Sequence, residues 1–102
     1  MSNKHRALCA DNTQRILIQH YGYLGQEMIK QLFDILGKYS QQDFKLVVMD
    51  VETNKLTFTP TISTSVLRTA CAKLPYTGWK LECKEENKRT TNEVYFIDTR
   101  AI

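Results

Sequence analysis

Hydrophobic spacing divides the chain into helical and extended segments separated by clear breaks. Leu24, Met28, Leu32, Ile35, Leu36 and Tyr39 recur at the three- and four-residue spacing of a helix, with Glu27, Lys30, Gln31, Asp34 and Lys38 on the other side. Ile29 and Phe33 widen the apolar face, so contacts on more than one side are expected. Gly37 and the Ser40-Gln41-Gln42 stretch end this helix. Ahead of it, Asn12 or Thr13 can cap a short helix over residues 14–21, with Ile16, Leu17 and Tyr21 on one side and Gly22 as its stop. The same residues leave a strand over 16–18 open as the alternative.

Period-two patterns follow. Residues 44–51 are rich in β-branched and apolar side chains and predict a strand. Glu52-Thr53-Asn54-Lys55 predicts a turn with Asn54 at positive φ, and residues 56–59 its partner strand, stopped by Pro60, which has no N–H for the ladder. Ile62, Val66, Leu67, Ala70, Cys71 and Leu74 predict a helix over 62–74, capped by Thr61 or Ser63 and ended by Pro75. Its outward positions are Thr64, Ser65, Arg68, Thr69 and Lys73. Trp79, Leu81 and Cys83 alternate with Lys80, Glu82 and Lys84, a polar loop covers 85–92, and residues 94–97 return with Tyr95 and Ile97 opposite Val94 and Phe96.

The fold class expected is therefore α+β: two N-terminal helices followed by β-hairpin, helix, β-hairpin. Residues 43–98 would form a small antiparallel sheet of four strands with the 62–74 helix on one face. No repeat, low-complexity tract or Gly/Ser linker interrupts the 102 residues, so a single domain is expected, with 1–11 fraying. At 42% hydrophobic and 25% charged residues the composition is that of a globular protein, with one modest core and no deep pocket. No apolar run approaches the roughly 20 residues of a spanning helix, and no apolar stretch follows the basic N-terminus as in a secretory signal. Cys9, Cys71 and Cys83 are odd in number and widely spaced, which predicts reduced thiols and a cytoplasmic location.

The residue types needed for catalysis are sparse. His5 and His20 are the two histidines, neither has a nucleophile beside it, and the phosphate-loop, dinucleotide, metalloprotease and nucleophile-elbow motifs are absent. Asp50 and Glu52 read as the polar end of a strand before its turn. Cys9, Cys71, Cys83, His5 and His20 are too scattered for a metal site. The expectation is a binding protein that is not an enzyme, with no metal, cofactor, small-molecule substrate or membrane partner.

Net charge is +3, and its distribution is uneven. Residues 68–102 carry Arg68, Lys73, Lys80, Lys84, Lys88, Arg89 and Arg100 against five acidic side chains. The helix carrying Ser63, Ser65, Val66, Arg68 and Leu74, then Gly78-Trp79, the charged loop over 84–92 and Val94-Tyr95-Phe96-Ile97 resemble the recognition helix and wing of winged-helix DNA-binding domains. The resemblance covers about a third of the chain. It implies a helix in the major groove, with Ser63, Thr64, Ser65, Arg68 and Lys73 at its exposed positions, and a wing along the phosphates using Lys84, Lys88, Arg89 and Thr90. The sequence departs from that family just before this helix, where a strand pattern over 56–60 stands in place of a short helix. Glu82, Glu85, Glu86 and Glu93 also dilute the charge of the wing. The chemistry suits nucleic acid: arginine reads guanine bidentately, and hydroxyls and lysines hold phosphates.

A second function of a different class is a protein–protein interaction module or homo-oligomer, such as a small inhibitor or adaptor of the kind mobile elements encode. It draws on the amphipathic rings of Tyr21, Tyr23, Tyr39, Tyr76, Trp79 and Tyr95, which are favoured at interfaces. Its expected surface is Tyr21, Tyr23, Ile29 and Phe33, with Tyr21-Gly22-Tyr23 exposed at a helix break.

Overall fold

A computed structural model describes residues 4–6, 10–75 and 78–100. The elements in chain order are β1 (Lys4–Arg6), α1 (Ala10–Ser40), β2 (Lys45–Asp50), β3 (Lys55–Ser63), α2 (Thr64–Ala72), β4 (Trp79–Glu82) and β5 (Thr90–Asp98). The strands form one antiparallel sheet in the order β1-β2-β3-β5-β4. The α+β class, the hairpin of β2 and β3 and the hairpin of β4 and β5 are as the spacing predicts. Within the stretch expected to fray, Lys4–Arg6 instead pair with β2 at the sheet edge.

The two expected N-terminal helices are one long helical element. Ala10 opens it, so Asn12 and Thr13 lie inside the helix rather than at its cap, and residues 14–21 are helical, not extended. Gly22 still marks a break: its φ of 76° and ψ of 174° fall outside helical values, and only glycine takes that backbone without steric cost. Three residues on, Gly25 serves close packing. A Cβ there would stand 2.6 Å from Tyr21 Cβ and 3.6 Å from the Phe96 ring.

One face of the sheet and the inner faces of the two helices make a single core. Leu17, Tyr21, Met28, Leu32 and Leu36 of α1, Leu67, Ala70 and Cys71 of α2, and Leu46, Met49, Leu56, Phe58, Leu81, Val94 and Phe96 of the sheet are its buried members. Along β5, Val94 and Phe96 are buried while Tyr95 and Ile97 occupy the other face, the alternation a strand imposes. In β2, Leu46 and Met49 both point inward although they are three residues apart. The register slips between Leu46 and Val48, and that bulge resets the inward face.

Three boundaries differ from the sequence expectation, for one reason. β3 continues through Pro60 to Ser63, where Ile62 pairs with Thr91 and Ser63 with Thr90. Pro60 falls in the interval between Thr57 and Ile62, where β3 has no register partner in β5, so its missing N–H is not called upon. α2 then starts at Thr64 rather than 62, β5 begins at Thr90 and β4 ends at Glu82, so the connecting loop spans residues 83–89 with Cys83 buried at its start.

The turn after β2 matches the expectation in detail. Asn54 has φ 61°, and Asp50 Oδ1 accepts hydrogen bonds from the Glu52 and Thr53 N–H groups at 3.1 and 3.4 Å. No helix among the described residues is long and apolar enough to cross a membrane.

Candidate nucleic-acid interface

The loop 83–89, which we call the strap, lies against the N-terminal half of α2. Its main chain holds it there. Thr64, the first residue of α2, donates its N–H to the Arg89 carbonyl at 2.9 Å and its hydroxyl to the Lys88 carbonyl at 2.7 Å. One turn later the Arg68 guanidinium donates to the Glu85 carbonyl. Asn87 N–H donates to the Glu85 carboxylate at 3.2 Å, which turns the tip.

Because carbonyls make these ties, the Lys88 and Arg89 side chains stay outside, and both are exposed. Between strap and helix runs an open groove of about 750 Å³, lined by Ser63, Ser65, Arg68, Glu86, Lys88 and Arg89 together with Thr64, Thr69 and Ala72. Three cations, one carboxylate and a row of hydroxyls therefore face a common space.

The N-terminus of α2 opens at one end of this groove. Ser63 occupies the N-cap, but its hydroxyl lies 3.1 Å from that of Ser65 and bonds no backbone N–H, so no side chain caps the helix. The Arg89 carbonyl takes the Thr64 N–H, and the helix dipole still favours negative charge at this end. Thr69 returns its hydroxyl to the Ser65 carbonyl at 2.9 Å, an internal bond of the helix.

The residues expected to contact nucleic acid thus divide into three groups. Ser63, Ser65, Arg68, Lys88 and Arg89 share the groove. Thr64 also lines it, but it is buried at 7% exposure and its hydroxyl is committed to the strap, so its place among the exposed helix positions is corrected to that of an anchor. Lys73, Lys84 and Thr90 are exposed but do not line the groove, Thr90 being the first residue of β5 and paired with Ser63. Lys73 caps the far end of α2, and the Lys84 Nζ sits 4.3 Å from the Tyr95 ring centroid in a cation–π contact. Glu86, Thr69 and Ala72 complete the lining, although residue type alone does not mark them as contacts. The helical period from Ser65 through Arg68 and Thr69 to Ala72 is the sequence signal that places the last two there. Directly before α2 stands β3, where the winged-helix pattern has a helix.

The surface expected for a protein partner does not assemble. Tyr21 is 4% exposed, stacks on Phe96 with ring centroids 4.2 Å apart and donates its hydroxyl to Asn54 Oδ1 at 3.0 Å. Ile29 is buried, and Phe33 is half-buried against Phe44 and Phe58. Of the four only Tyr23 is exposed. Leu24 and Tyr39, expected on the apolar face of the helix, are exposed instead.

Cys71 and Cys83 are free and buried, as core cysteines should be. Burial, and then the neighbouring Cys83 and Glu82 charges, push the Cys71 thiol up to about 12. Cys9 and Tyr76 lie outside the described residues. Among the described residues no three His, Cys, Asp or Glu side chains converge as a metal site would require.

No family model, no curated protein and no solved structure matches this chain. The resemblance of residues 61–97 to a recognition helix and wing rests on those residues alone.

Proposed function

We propose that the protein binds nucleic acid, DNA in the first instance, in the groove between α2 and the strap. One observation carries this reading: two segments well separated in sequence, with Ser63 and Ser65 on one and Lys88 and Arg89 on the other, line one groove with Arg68 between them. Cations and hydroxyls in that arrangement suit the sugar–phosphate backbone, and the Arg68 donors not given to the Glu85 carbonyl are available to a base edge. The contribution of each part differs. Lys88 and Arg89 neutralise phosphates, Ser63 and Ser65 donate hydroxyl hydrogen bonds, and Thr64 keeps the strap in place. Glu86 sets a limit on affinity by placing a carboxylate in the same groove. Because the cations are exposed, their attraction falls as salt rises.

The test is a titration of the protein against a labelled mixed-sequence duplex and a labelled single strand at low and physiological salt. Binding should weaken steeply with salt. Lys88→Ala with Arg89→Ala, which leaves the three carbonyl ties intact, should reduce the salt slope by about one for each phosphate that is no longer neutralised. Adding Arg68→Ala should abolish binding. Intact affinity in the folded triple variant, or no binding to either probe at low salt, overturns the proposal.

A further inference from the structure

The large apolar side chains left exposed among the described residues all lie on α1: Tyr23 at 75%, Leu24 at 59% and Tyr39 at 63%. Tyr23 and Leu24 stand just past the Gly22 break, and Tyr39 stands at the far end of the helix. Between them runs an exposed ridge of Glu27, Lys30, Asp34 and Lys38, three or four residues apart and so on one side of the helix. Their charges alternate: negative, positive, negative, positive. Such spacing allows ion pairs along the helix, yet none of the four has an ion-pair partner among the described residues.

That order of charge is its own complement when reversed. Two copies of α1 laid side by side in opposite directions place Glu27 against the partner's Lys38 and Lys30 against the partner's Asp34, and two-fold symmetry repeats both pairs. Laid in the same direction, they oppose like to like. Tyr23, four residues before Glu27, continues the ridge at its N-terminal end, while Leu24 and Tyr39 belong to the other stripe of the helix. We propose that α1 is a self-docking face and that a second copy of this chain binds antiparallel across residues 23–39, in a two-fold symmetric dimer. At 1.5 Å rise per residue the seam is about 25 Å long, which places the contact among the smaller, concentration-dependent interfaces. A self-complementary charge order selects a second copy over a foreign protein, whose surface would have to match it independently.

The inference does not depend on the α2 groove, and its test needs no nucleic acid. Sedimentation velocity on the intact chain over a wide concentration range should show the mass rising from 11.9 kDa towards twice that value, and the rise should diminish with salt. Two charge variants test the geometry. Glu27→Lys with Asp34→Lys makes the ridge wholly positive, and Lys30→Glu with Lys38→Glu makes it wholly negative. Each should self-associate at least about tenfold more weakly than the parent chain, and an equal mixture should form the mixed dimer. Circular dichroism confirms that each has folded. A parent chain that stays at 11.9 kDa, same-sign variants that dimerise as well as the parent, or a mixture that stays monomeric overturns the proposal.

Discussion

The aromatic cluster beneath α1 and the strap over α2 are fastened in opposite ways. Beneath α1, side chains do the holding. Tyr21 stacks on Phe96, and Trp79 meets the two rings edge-on at 5.2 and 5.7 Å between centroids. On α2, the carbonyls of Glu85, Lys88 and Arg89 accept the ties and their own side chains are left out of them. A segment anchored by its main chain can present different side chains without losing its position. A segment anchored by its rings cannot. The strap is therefore where surface chemistry can change at little cost to the fold, and the ring cluster is where the fold itself is decided.

Removing a ring should give the largest effect. Phe96 is 1% exposed and packs against Tyr21, Trp79 and the Gly25 backbone, so Phe96→Ala leaves a cavity where sheet and helix meet. Deleting a buried phenylalanine costs about 3–5 kcal/mol, a large part of the stability of a domain this small. Urea denaturation should show that loss, while any fraction still folded keeps its strap and groove unchanged. Equal destabilisation by Lys88→Ala would erase the contrast between the two regions.

Releasing the strap should cost less in stability and more in function. Thr64→Val preserves side-chain shape, removes the hydroxyl donor and leaves the Lys88 carbonyl with one partner fewer. The expected cost is about 1 kcal/mol, because the carbonyl is near solvent and water can replace the donor. The local consequence is sharper: amide hydrogens of residues 86–89 should exchange faster than in the parent, with those of β3 and β5 unchanged. The exchange measurement separates a loosened strap from general destabilisation.

Much of this division is legible in the sequence, and its limits are physical. The alternation of Val94 and Phe96 with Tyr95 and Ile97, the Asn54 turn and the inward stripe of α2 are local signals, and local signals survive folding. The strap's main-chain ties bring Lys88 and Arg89 to α2, and helical period alone makes Ser65 and Arg68 legible as one of its faces. Thr64 is not. Its burial follows from the pairing of Ile62 with Thr91 and Ser63 with Thr90, a contact between strands distant in sequence that draws the start of α2 against the strap. Leu24 is misplaced by helical periodicity, and Tyr21 by its place beside the break, for a related reason. Gly22 marks a break, but its angle decides that Tyr21 turns into the core while Tyr23 and Leu24 turn out. The bulge at Val47 resets β2 in the same way, and neither change of phase is written in the hydrophobic pattern.

At neutral pH the smallest effect expected is a pH dependence, which belongs to the inward-facing groups and grows only under alkaline conditions. Burial first, and then the Asp50 carboxylate, push the Tyr21 hydroxyl from its ordinary 10.0 up to about 12, and burial moves the Cys71 thiol from 9.0 to about 12. Between those values the unfolded chain releases protons that the folded chain retains, so the unfolded state binds fewer and stability falls as pH rises. Their contribution is complete below about pH 9 and is lost as the pH climbs to about 12. Urea midpoints at several alkaline pH values should trace the decline, with Cys71→Ala flattening its start and Tyr21→Phe its later part. Neither substitution alters the exposed cations of the groove. A decline of the same shape in the Cys71→Ala, Tyr21→Phe double variant would show that exposed charges set the alkaline limit, and the outward-facing side of the molecule would then bear on stability as well as on binding.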